Sequence, residues 1–421
     1  MRNLWVALLA LVFLPAVSAA GGSGGAPPLP GPAGAGSEET AWNFKLKGLA
    51  GFSPASYNRV DGLLAGWGFD LSAGRTFTYP GSGTRQTVPD RRYPELSFEL
   101  LVPSARSSLG GRLGITRRLR GKNNWDLGLE LGAGGSSSDY WRASEPGAGI
   151  SFLFLGKDRR YYYDRRGGEL YAEGELGGGL RLRLAFYHER VRSLEATNVW
   201  TMFSSGLLRE NPSVIHGTDR GIRLNLGLDR LLRGIAFPEG WECSLGLESS
   251  GALGGDFAYR LFELSAGFYR KLGELNYFSA GLKAATSDRT LPPHKLYSLG
   301  DLLRGIDTFE PDFDLFDRRG DRLWYICLGF HRLITPPDLF FNRLAYNWSL
   351  DLYFTSGTTF HSPRRNDPLT LFSRGLERLE SGVGAGVSFT ASRTRVSLCL
   401  EKSLDRQYRG PVFSVRLGLC P

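Results

Sequence analysis

The side chains that most often carry chemistry are scattered along this chain. Five histidines occur, and none has a second histidine four residues away or another metal-ligand spacing: His188, His216, His294, His331 and His361. Tyrosine, histidine and serine together on the inner face of a barrel could form a lipase or acyltransferase site, but the spacing reveals no compact triad. We therefore predict no enzymatic activity, no metal site and no cofactor.

A serine flanked by glycines, at residues 21–25, matches the letters of the nucleophile-elbow motif. That motif needs a strand before the serine and a helix after it, whereas this serine lies in a stretch of glycine, proline and serine over residues 21–41. Such a composition cannot bury a core and is typical of a linker. We predict that residues 21–41 form a disordered periplasmic linker without hydrolase chemistry.

The first twenty residues have the features of an export signal. Arg2 provides a short basic start, residues 4–17 are mostly apolar, and small residues follow. The apolar run is too short to span a bilayer comfortably, so we predict a signal peptide over residues 1–20, with a retained anchor as the alternative. No other window reaches about eighteen apolar residues, which argues against helical membrane spans and leaves residues 42–421 as one domain.

The formal charge is +9, with arginine the main basic residue. An exported chain rarely meets nucleic acid, so we predict no nucleic-acid partner. We expect the positive charge to serve contact with anionic outer-membrane lipid and lipopolysaccharide, together with charge pairs inside a lumen. Solvated charges on loops are the alternative explanation.

Strict alternation of residue types begins at Arg322. One side carries Trp324, Ile326, Leu328 and Phe330, and the other carries Tyr325, Cys327, Gly329 and His331. An apolar face opposite a small, polar face is typical of a transmembrane β-strand between lipid and a wet lumen. The preceding stretch, residues 299–321, has no period, which indicates a long loop.

Similar alternating segments continue from Trp42 to the end of the chain. We count about eleven before the long loop, including one over residues 56–71 and one over residues 149–156, and five after it. This total of about sixteen is an even number, which a closed antiparallel barrel permits. We predict an all-β fold, a transmembrane antiparallel barrel over residues 42–421 in the outer membrane. A soluble sandwich or propeller is disfavoured, because the faces opposite the aliphatic residues carry many charges.

Four cysteines occur on this exported chain: Cys243, Cys327, Cys399 and Cys420. Alternation predicts that Cys243 faces lipid and that the other three face inward. A turn near residues 405–410 would place Cys399 opposite about Arg416, leaving Cys420 roughly 13 Å further along the strand. A disulfide needs Cα atoms within about 7 Å, so we expect no bond between Cys399 and Cys420 unless the register slips.

The long loop contains Leu303-Arg304-Gly305-Ile306, flanked by residues 298–300 and 319–322. This pattern resembles the sixth-loop motif of the bacterial surface antigen superfamily, which includes the outer-membrane protein insertase and the two-partner secretion transporters. Weaker resemblances lie at residues 56–66, 351–357 and 379–386, so the likeness covers residues 55–421. It implies a loop that folds back into the lumen, followed by five strands.

The sequence departs from that family pattern at several places. Ile306 replaces the aromatic of the loop tetrad, Thr355 replaces an expected aspartate, and the chain ends without the usual aromatic. A linker of about twenty residues is also too short for a polypeptide-transport-associated repeat, so we expect those repeats to be lacking.

The resemblance implies a loop lock formed by Arg304, Gly305, Asp351 and Glu380. Alternation places the two carboxylates on inward faces of strands after the loop, and a guanidinium binds carboxylates in a fixed fork. We predict that Asp351, Glu380 or both hold Arg304 in the lumen. The alternative is an extracellular arginine in solvent.

Three function classes follow. The resemblance implies assisted insertion or translocation of proteins, with unfolded outer-membrane proteins as clients and, without the repeats, a need for a separate periplasmic partner. The second class is a passive pore or structural barrel that lacks assembly activity. The third, least favoured, is a membrane lipid-modifying enzyme.

Overall fold

The computed structural model describes residues 39–47, 52–78, 85–89, 93–119, 124–137, 152–153, 160–197, 200–202, 211–233, 237–299, 319–334, 346–361, 379–391, 394–404 and 411–419. The predicted signal peptide, nearly all of the predicted linker, Arg304, Gly305 and Cys420 lie outside these ranges. The first strand begins at Glu39, within the last three residues of the predicted linker.

Sixteen antiparallel strands form the fold. The first eleven are β1 (Glu39–Leu46 and Phe52–Asn58), β2 (Gly62–Thr78), β3 (Arg85–Pro89 and Glu95–Pro103), β4 (Gly110–Leu119), β5 (Trp125–Ser136), β6 (Tyr163–Gly177), β7 (Leu180–Ser193), β8 (Gly217–Asp229), β9 (Pro238–Ser250), β10 (Arg260–Lys271) and β11 (Asn276–Ser287). The last five are β12 (Arg322–Ile334), β13 (Tyr346–Phe360), β14 (Glu380–Ala391), β15 (Thr394–Ser403) and β16 (Pro411–Leu419). Three two-residue strands and a short 3₁₀ helix complete the set: Leu232–Arg233, Tyr297–Ser298, Arg319–Gly320 and Pro293–Lys295.

Each long strand pairs with the next one along the chain, so the sheet is a simple meander. Two segments of β1 share the single partner β2, and two segments of β3 share the opposite edge of β2. Among the pairs that the described residues form, β1 pairs only with β2 and β16 only with β15. The predicted count of sixteen strands, five of them after the long loop, is confirmed.

Two errors in the predicted strands cancel in that count. Residues 149–156 are not a strand where they are described: Phe152 and Leu153 lie in a helical turn and are buried, and their apolar character serves packing against Tyr57, 5.5 Å from the Phe152 ring. Conversely, the single strand predicted over residues 56–71 is the end of β1 and most of β2. The Asn58 side-chain oxygen accepts hydrogen bonds from the backbone amides of Val60 and Asp61 at 2.9 and 2.7 Å. This turn reverses the chain between β1 and β2.

The connections differ in length between the two ends of the sheet. At one end, short turns join β6 to β7, β10 to β11 and β14 to β15. Gly177, Gly178 and Gly179 make the first of these with φ angles of 100°, 62° and 81°, which glycine adopts without strain. Apart from the turn at residues 59–61, the other end carries the longer connections, including residues 288–321 between β11 and β12. Short periplasmic turns and longer extracellular loops are typical of outer-membrane barrels.

The two faces of the sheet differ in polarity as the alternation predicts. On β7, Leu184 and Phe186 are exposed, whereas Ala185, Tyr187 and Glu189 are buried. The outward face is aliphatic and aromatic, and the inward face carries charged and hydroxyl side chains, as expected between lipid and a wet lumen. In the part of the chain that is described, no helix is long and apolar enough to cross a membrane.

The described parts of the connection between β11 and β12, residues 288–299 and 319–321, pack against the inner face of the barrel wall. Most of the loop predicted to enter the lumen lies outside the described residues, so its path stays a prediction. Its first limb, residues 288–299, packs Leu291, Tyr297 and Leu299 against Leu261, Ala285 and Leu323 of the barrel wall. All six side chains are at most 6% exposed. This apolar contact holds residues 288–299 close to the carboxylates of the barrel wall that His294 and Lys295 contact.

The register of the last hairpin corrects the one expected from the sequence. Cys399 lies opposite Ser414, and Ser397 is the residue opposite Arg416. Lys402 and Pro411 form the last pair before the turn, so the reversal is centred one residue earlier than a turn at residues 405–410 implies.

Candidate functional site

The loop connecting β11 and β12 has a two-stranded stem. Tyr297 pairs with Gly320, and Ser298 pairs with Arg319. We call residues 288–299 and 319–321 the loop stem. Just before the pairing residues, a 3₁₀ turn with proline in its first turn directs His294 and Lys295 toward the barrel wall.

His294 and Lys295 bind two carboxylates on neighbouring strands. Lys295 Nζ donates to Glu248 Oε1 of β9 at 2.9 Å, and His294 Nε2 lies 3.7 Å from Asp219 Oδ2 of β8. The Lys295 and Glu248 side chains are 15% and 12% exposed. Solvent screening of this pair is therefore limited, and removing one partner would cost more than breaking a surface salt bridge does.

Two tyrosine hydroxyls join the same carboxylates. The Tyr187 hydroxyl lies 3.1 Å from Asp219 Oδ1 and 2.9 Å from Glu248 Oε1. The Tyr259 hydroxyl lies 2.9 Å from Asp219 Oδ2 and 2.6 Å from Glu248 Oε1. Each hydroxyl has one hydrogen to donate, so the tyrosines share the two carboxylates and keep them side by side. We call the six residues that meet here the lumenal network: Tyr187, Asp219, Glu248, Tyr259, His294 and Lys295.

Arginine and glutamate side chains continue from this network across the inner face. Arg223 Nε lies 3.0 Å from Glu248 Oε2, and its Nη1 lies 3.2 Å from Glu189 Oε1. The Arg223 guanidinium also stacks 3.9 Å from the centre of the Tyr187 ring. The same pattern repeats at Arg183, which pairs with Glu130, Glu169 and Glu173. The predicted charge pairs inside the lumen are therefore observed.

The returning limb of the loop stem is held by Arg319. Its Nη2 donates to the Pro293 carbonyl, and its guanidinium lies 4.5 Å from the centre of the Tyr161 ring. Immediately after the stem, Arg322 donates to Thr286 Oγ1 and to the Ser287 carbonyl. Both limbs are therefore fixed to each other and to the barrel.

The pKa values of the two stem side chains shift in opposite directions. Burial lowers the pKa of His294 by favouring the neutral imidazole, although the Asp219 carboxylate acts in the other direction. Burial also favours a neutral Lys295 amine, but the Glu248 carboxylate outweighs it and raises the pKa of Lys295. At neutral pH, Lys295 is charged and His294 is neutral.

The predicted loop lock is only partly within the described residues. Arg304 and Gly305 lie outside them, so the pairing with Asp351 or Glu380 stays a prediction. Glu380 is the first residue of β14, half-buried and opposite Gly357. Asp351 lies on β13 and is 1% exposed.

Asp351 is surrounded by hydrogen-bond donors. His331 Nδ1 and Ser349 Oγ donate to its Oδ1 at 2.8 and 2.9 Å. The Tyr353 hydroxyl donates to Oδ2 at 2.9 Å, and Ser388 Oγ donates to the same oxygen. A carboxylate that accepts this many hydrogen bonds is held in one orientation.

His331 links Asp351 to a third strand. Its Nε2 lies 3.1 Å from Ser279 Oγ of β11, and Phe237 stacks on the imidazole with ring centres 4.8 Å apart. Tyr353 meets the same imidazole edge-on at 5.5 Å. The row Ser279, His331, Asp351 therefore runs across three adjacent strands.

Neither the lumenal network nor this row was identified from the sequence. Their members lie on different strands and meet only through strand register, which alternation does not give. The available signal was weak: inward positions of β8 and β9 carry Asp219, Arg223 and Glu248, and the 3₁₀ turn supplies His294 and Lys295. Alternation established only that such groups face inward.

Comparison with known proteins gives the fold. No family model matches the chain, and no curated protein matches it. The crystal structure of BamA from Haemophilus ducreyi lacking POTRA domains 1-3 is similar with a TM-score of 0.54 and 15% sequence identity, covering 90% of this chain and 69% of that chain. This chain has the fold of the BamA barrel. The fold implied by the surface-antigen resemblance is thereby confirmed.

A second solved structure is similar with a lower TM-score. CdiB from Acinetobacter baumannii gives a TM-score of 0.43 and 11% identity, covering 91% of this chain and 65% of that chain. The chain thus spans about two thirds of the length of each of these proteins. At such identities the likeness to BamA concerns the fold, and activity is a separate question.

Proposed function

We propose that this chain is an outer-membrane β-barrel that assists the insertion or translocation of proteins, in contact with outer-membrane lipid and lipopolysaccharide. The observation that carries the proposal is the BamA fold over 90% of the chain. Unfolded outer-membrane proteins are the clients that this fold suggests, delivered by a separate periplasmic partner.

The ends of the meander support this activity. Among the pairs that the described residues form, β1 and β16 each have one neighbour, and a strand edge presents backbone N–H and C=O groups that can pair with an incoming strand. A client strand could add to such an edge by main-chain hydrogen bonds. A seam between β1 and β16 is thus a suitable place for insertion.

Reconstitution into liposomes tests the proposal. We expect the purified chain to accelerate the folding of a urea-unfolded, eight-stranded outer-membrane barrel, measured by heat-modifiable gel mobility, relative to protein-free liposomes. A cysteine introduced into β1 and another into β16 provide a matched control in a background without the native cysteines. Oxidation should stop the acceleration, and a reductant should restore it.

The passive pore is the competing function, and the same vesicles distinguish it. Ion conductance without faster client folding would contradict the proposal and favour a pore. The loop stem and the lumenal network occupy part of the bore, which favours the assembly function over a wide aqueous channel.

A further inference from the structure

Three inward-facing residues on adjacent strands have the geometry of a nucleophile, a base and an orienting acid. Ser279 Oγ lies 3.1 Å from His331 Nε2, and His331 Nδ1 lies 2.8 Å from Asp351 Oδ1. Strand register brings them together, because His331 lies directly opposite Asp351 and diagonal to Ser279. Each distance is within hydrogen-bonding range.

The hydrogen-bond partners assign a role to each group. Asp351 is an acceptor, so His331 carries its hydrogen on Nδ1 and leaves Nε2 able to accept the Ser279 hydroxyl hydrogen. Asp351 is itself fixed by Ser349, Tyr353 and Ser388 (see above). This arrangement is how a serine hydroxyl is activated for nucleophilic attack.

Ser279 is the most accessible member of the row, and a glycine on the neighbouring strand makes its contact with His331 possible. Ser279 is half-buried, whereas His331 and Asp351 are 4% and 1% exposed. A Cβ at Gly329, opposite Ser279, would lie 2.5 Å from Ser279 Oγ and 2.7 Å from His331 Nε2. The absence of a side chain at Gly329 thus allows Ser279 Oγ and His331 Nε2 to meet over its backbone.

Aromatic rings border the same place. Phe237 stacks on His331 and lies 4.9 Å from the ring of Tyr277, which is opposite His331 on β11. Apolar rings next to a nucleophile suit an apolar acyl group better than a charged one. They also limit water around the imidazole.

We propose that Ser279, His331 and Asp351 form an esterase site for acyl esters with an apolar acyl chain, an activity beyond the proposed assembly function. Ser279 Oγ bonds to the carbonyl carbon while its proton passes to His331 Nε2. The carbon–oxygen bond to the alcohol then breaks, and the alcohol takes that proton. Water repeats the sequence on the acyl-serine, releasing the carboxylic acid and restoring Ser279.

A fluorophosphonate probe tests the nucleophile directly on the full-length folded chain in detergent. We expect the probe to label Ser279, as mapped by peptide mass spectrometry, and Ser279→Ala to lose the label. His331→Gln should slow labelling by about 100-fold, the usual contribution of a general base. Ser244→Ala is the matched control, because Ser244 faces inward and bonds to Ser265 rather than to a histidine; it should label like the wild type.

Four further variants, at three positions, separate catalysis from folding. Asp351→Asn should slow labelling and Asp351→Glu should restore part of it, whereas Glu380→Gln should have no effect. Gly329→Ala should slow labelling, because its methyl group would displace Ser279 Oγ or His331 Nε2 and break their contact, while heat-modifiable mobility stays intact.

Hydrolysis assays identify the substrate. We expect faster release of p-nitrophenol from octanoate than from acetate esters, and mixed micelles of phosphatidylcholine distinguish a lipid ester from a small soluble one. Absence of label on Ser279 in the folded wild-type chain, or equal labelling of Ser279→Ala, overturns the proposal. Neither result bears on client folding in liposomes, so the two proposals fail separately.

Discussion

At the scale of single residues, Lys295 is the cation that fixes the outgoing limb of the loop stem. Lys295→Met keeps the length of the side chain but leaves the buried Glu248 carboxylate with one donor fewer. We expect the free energy of unfolding to fall by about 3 kcal/mol, the lower end for breaking a buried pair. The midpoint of the heat-modifiable gel shift, with urea titration in detergent, measures it.

Lys402 provides the control for that substitution. It is an exposed lysine on β15, and Lys402→Met should change the free energy of unfolding by less than about 0.5 kcal/mol. Lys295→Arg should retain much of the stability, because it keeps the charge. Equal losses at Lys295 and Lys402 would show that the network does not anchor the loop.

Arg304 is the other residue predicted to hold the loop. Arg304→Ala should raise protease cleavage within residues 307–319 on intact cells and lower stability by about 1–2 kcal/mol, since lumenal water screens the charge. Arg304→Lys should rescue only in part, because an ammonium cannot form the bidentate fork. A double-mutant cycle with Glu380→Gln checks the partner: additive effects would exclude that pairing.

At the scale of elements, docking of the loop stem should depend on pH through His294. Burial lowers the folded-state pKa of His294, so the undocked loop binds the proton more tightly. Docking is therefore strongest above pH about 6.5, the unperturbed value, and weakens as the pH falls through the folded-state pKa. Limited proteolysis of the loop between pH 8 and pH 5 should show increasing cleavage.

The control for this pH effect is a pair of variants. His294→Gln cannot titrate and should flatten the dependence, whereas His216→Gln alters an exposed histidine and should leave it unchanged. Lys295, Asp219 and Glu189 also face His294. Tighter docking at low pH would mean that a His294–Asp219 ion pair dominates over burial.

The elements differ in how far the sequence predicted them. Strands such as β7 and β12 were predicted well, because lipid on one face and water on the other impose a period of two on every residue. Phe152 and Leu153 were assigned to a strand wrongly, because residues buried in a loop are apolar without belonging to a strand. Cys399 was assigned the wrong neighbour because a turn of unknown geometry sets the register.

At the scale of the whole molecule, the fold was predictable and the chemistry was not. The strand count and the position of the long loop follow from patterns within single segments. The Ser279–His331–Asp351 row joins positions 52 and 20 residues apart, and the lumenal network joins five separate segments. Such contacts depend on the register of the entire sheet, which no single segment encodes.

The loop stem also has a consequence for the order in which the molecule can be built. His294 and Lys295 contact Asp219 and Glu248, which lie on strands that precede them in the chain. A polypeptide that assembles from its N-terminus could therefore seat this limb as soon as β11 has formed. The final five strands would then be added around a lumen that this limb already occupies. The barrel would therefore not form first with an empty lumen.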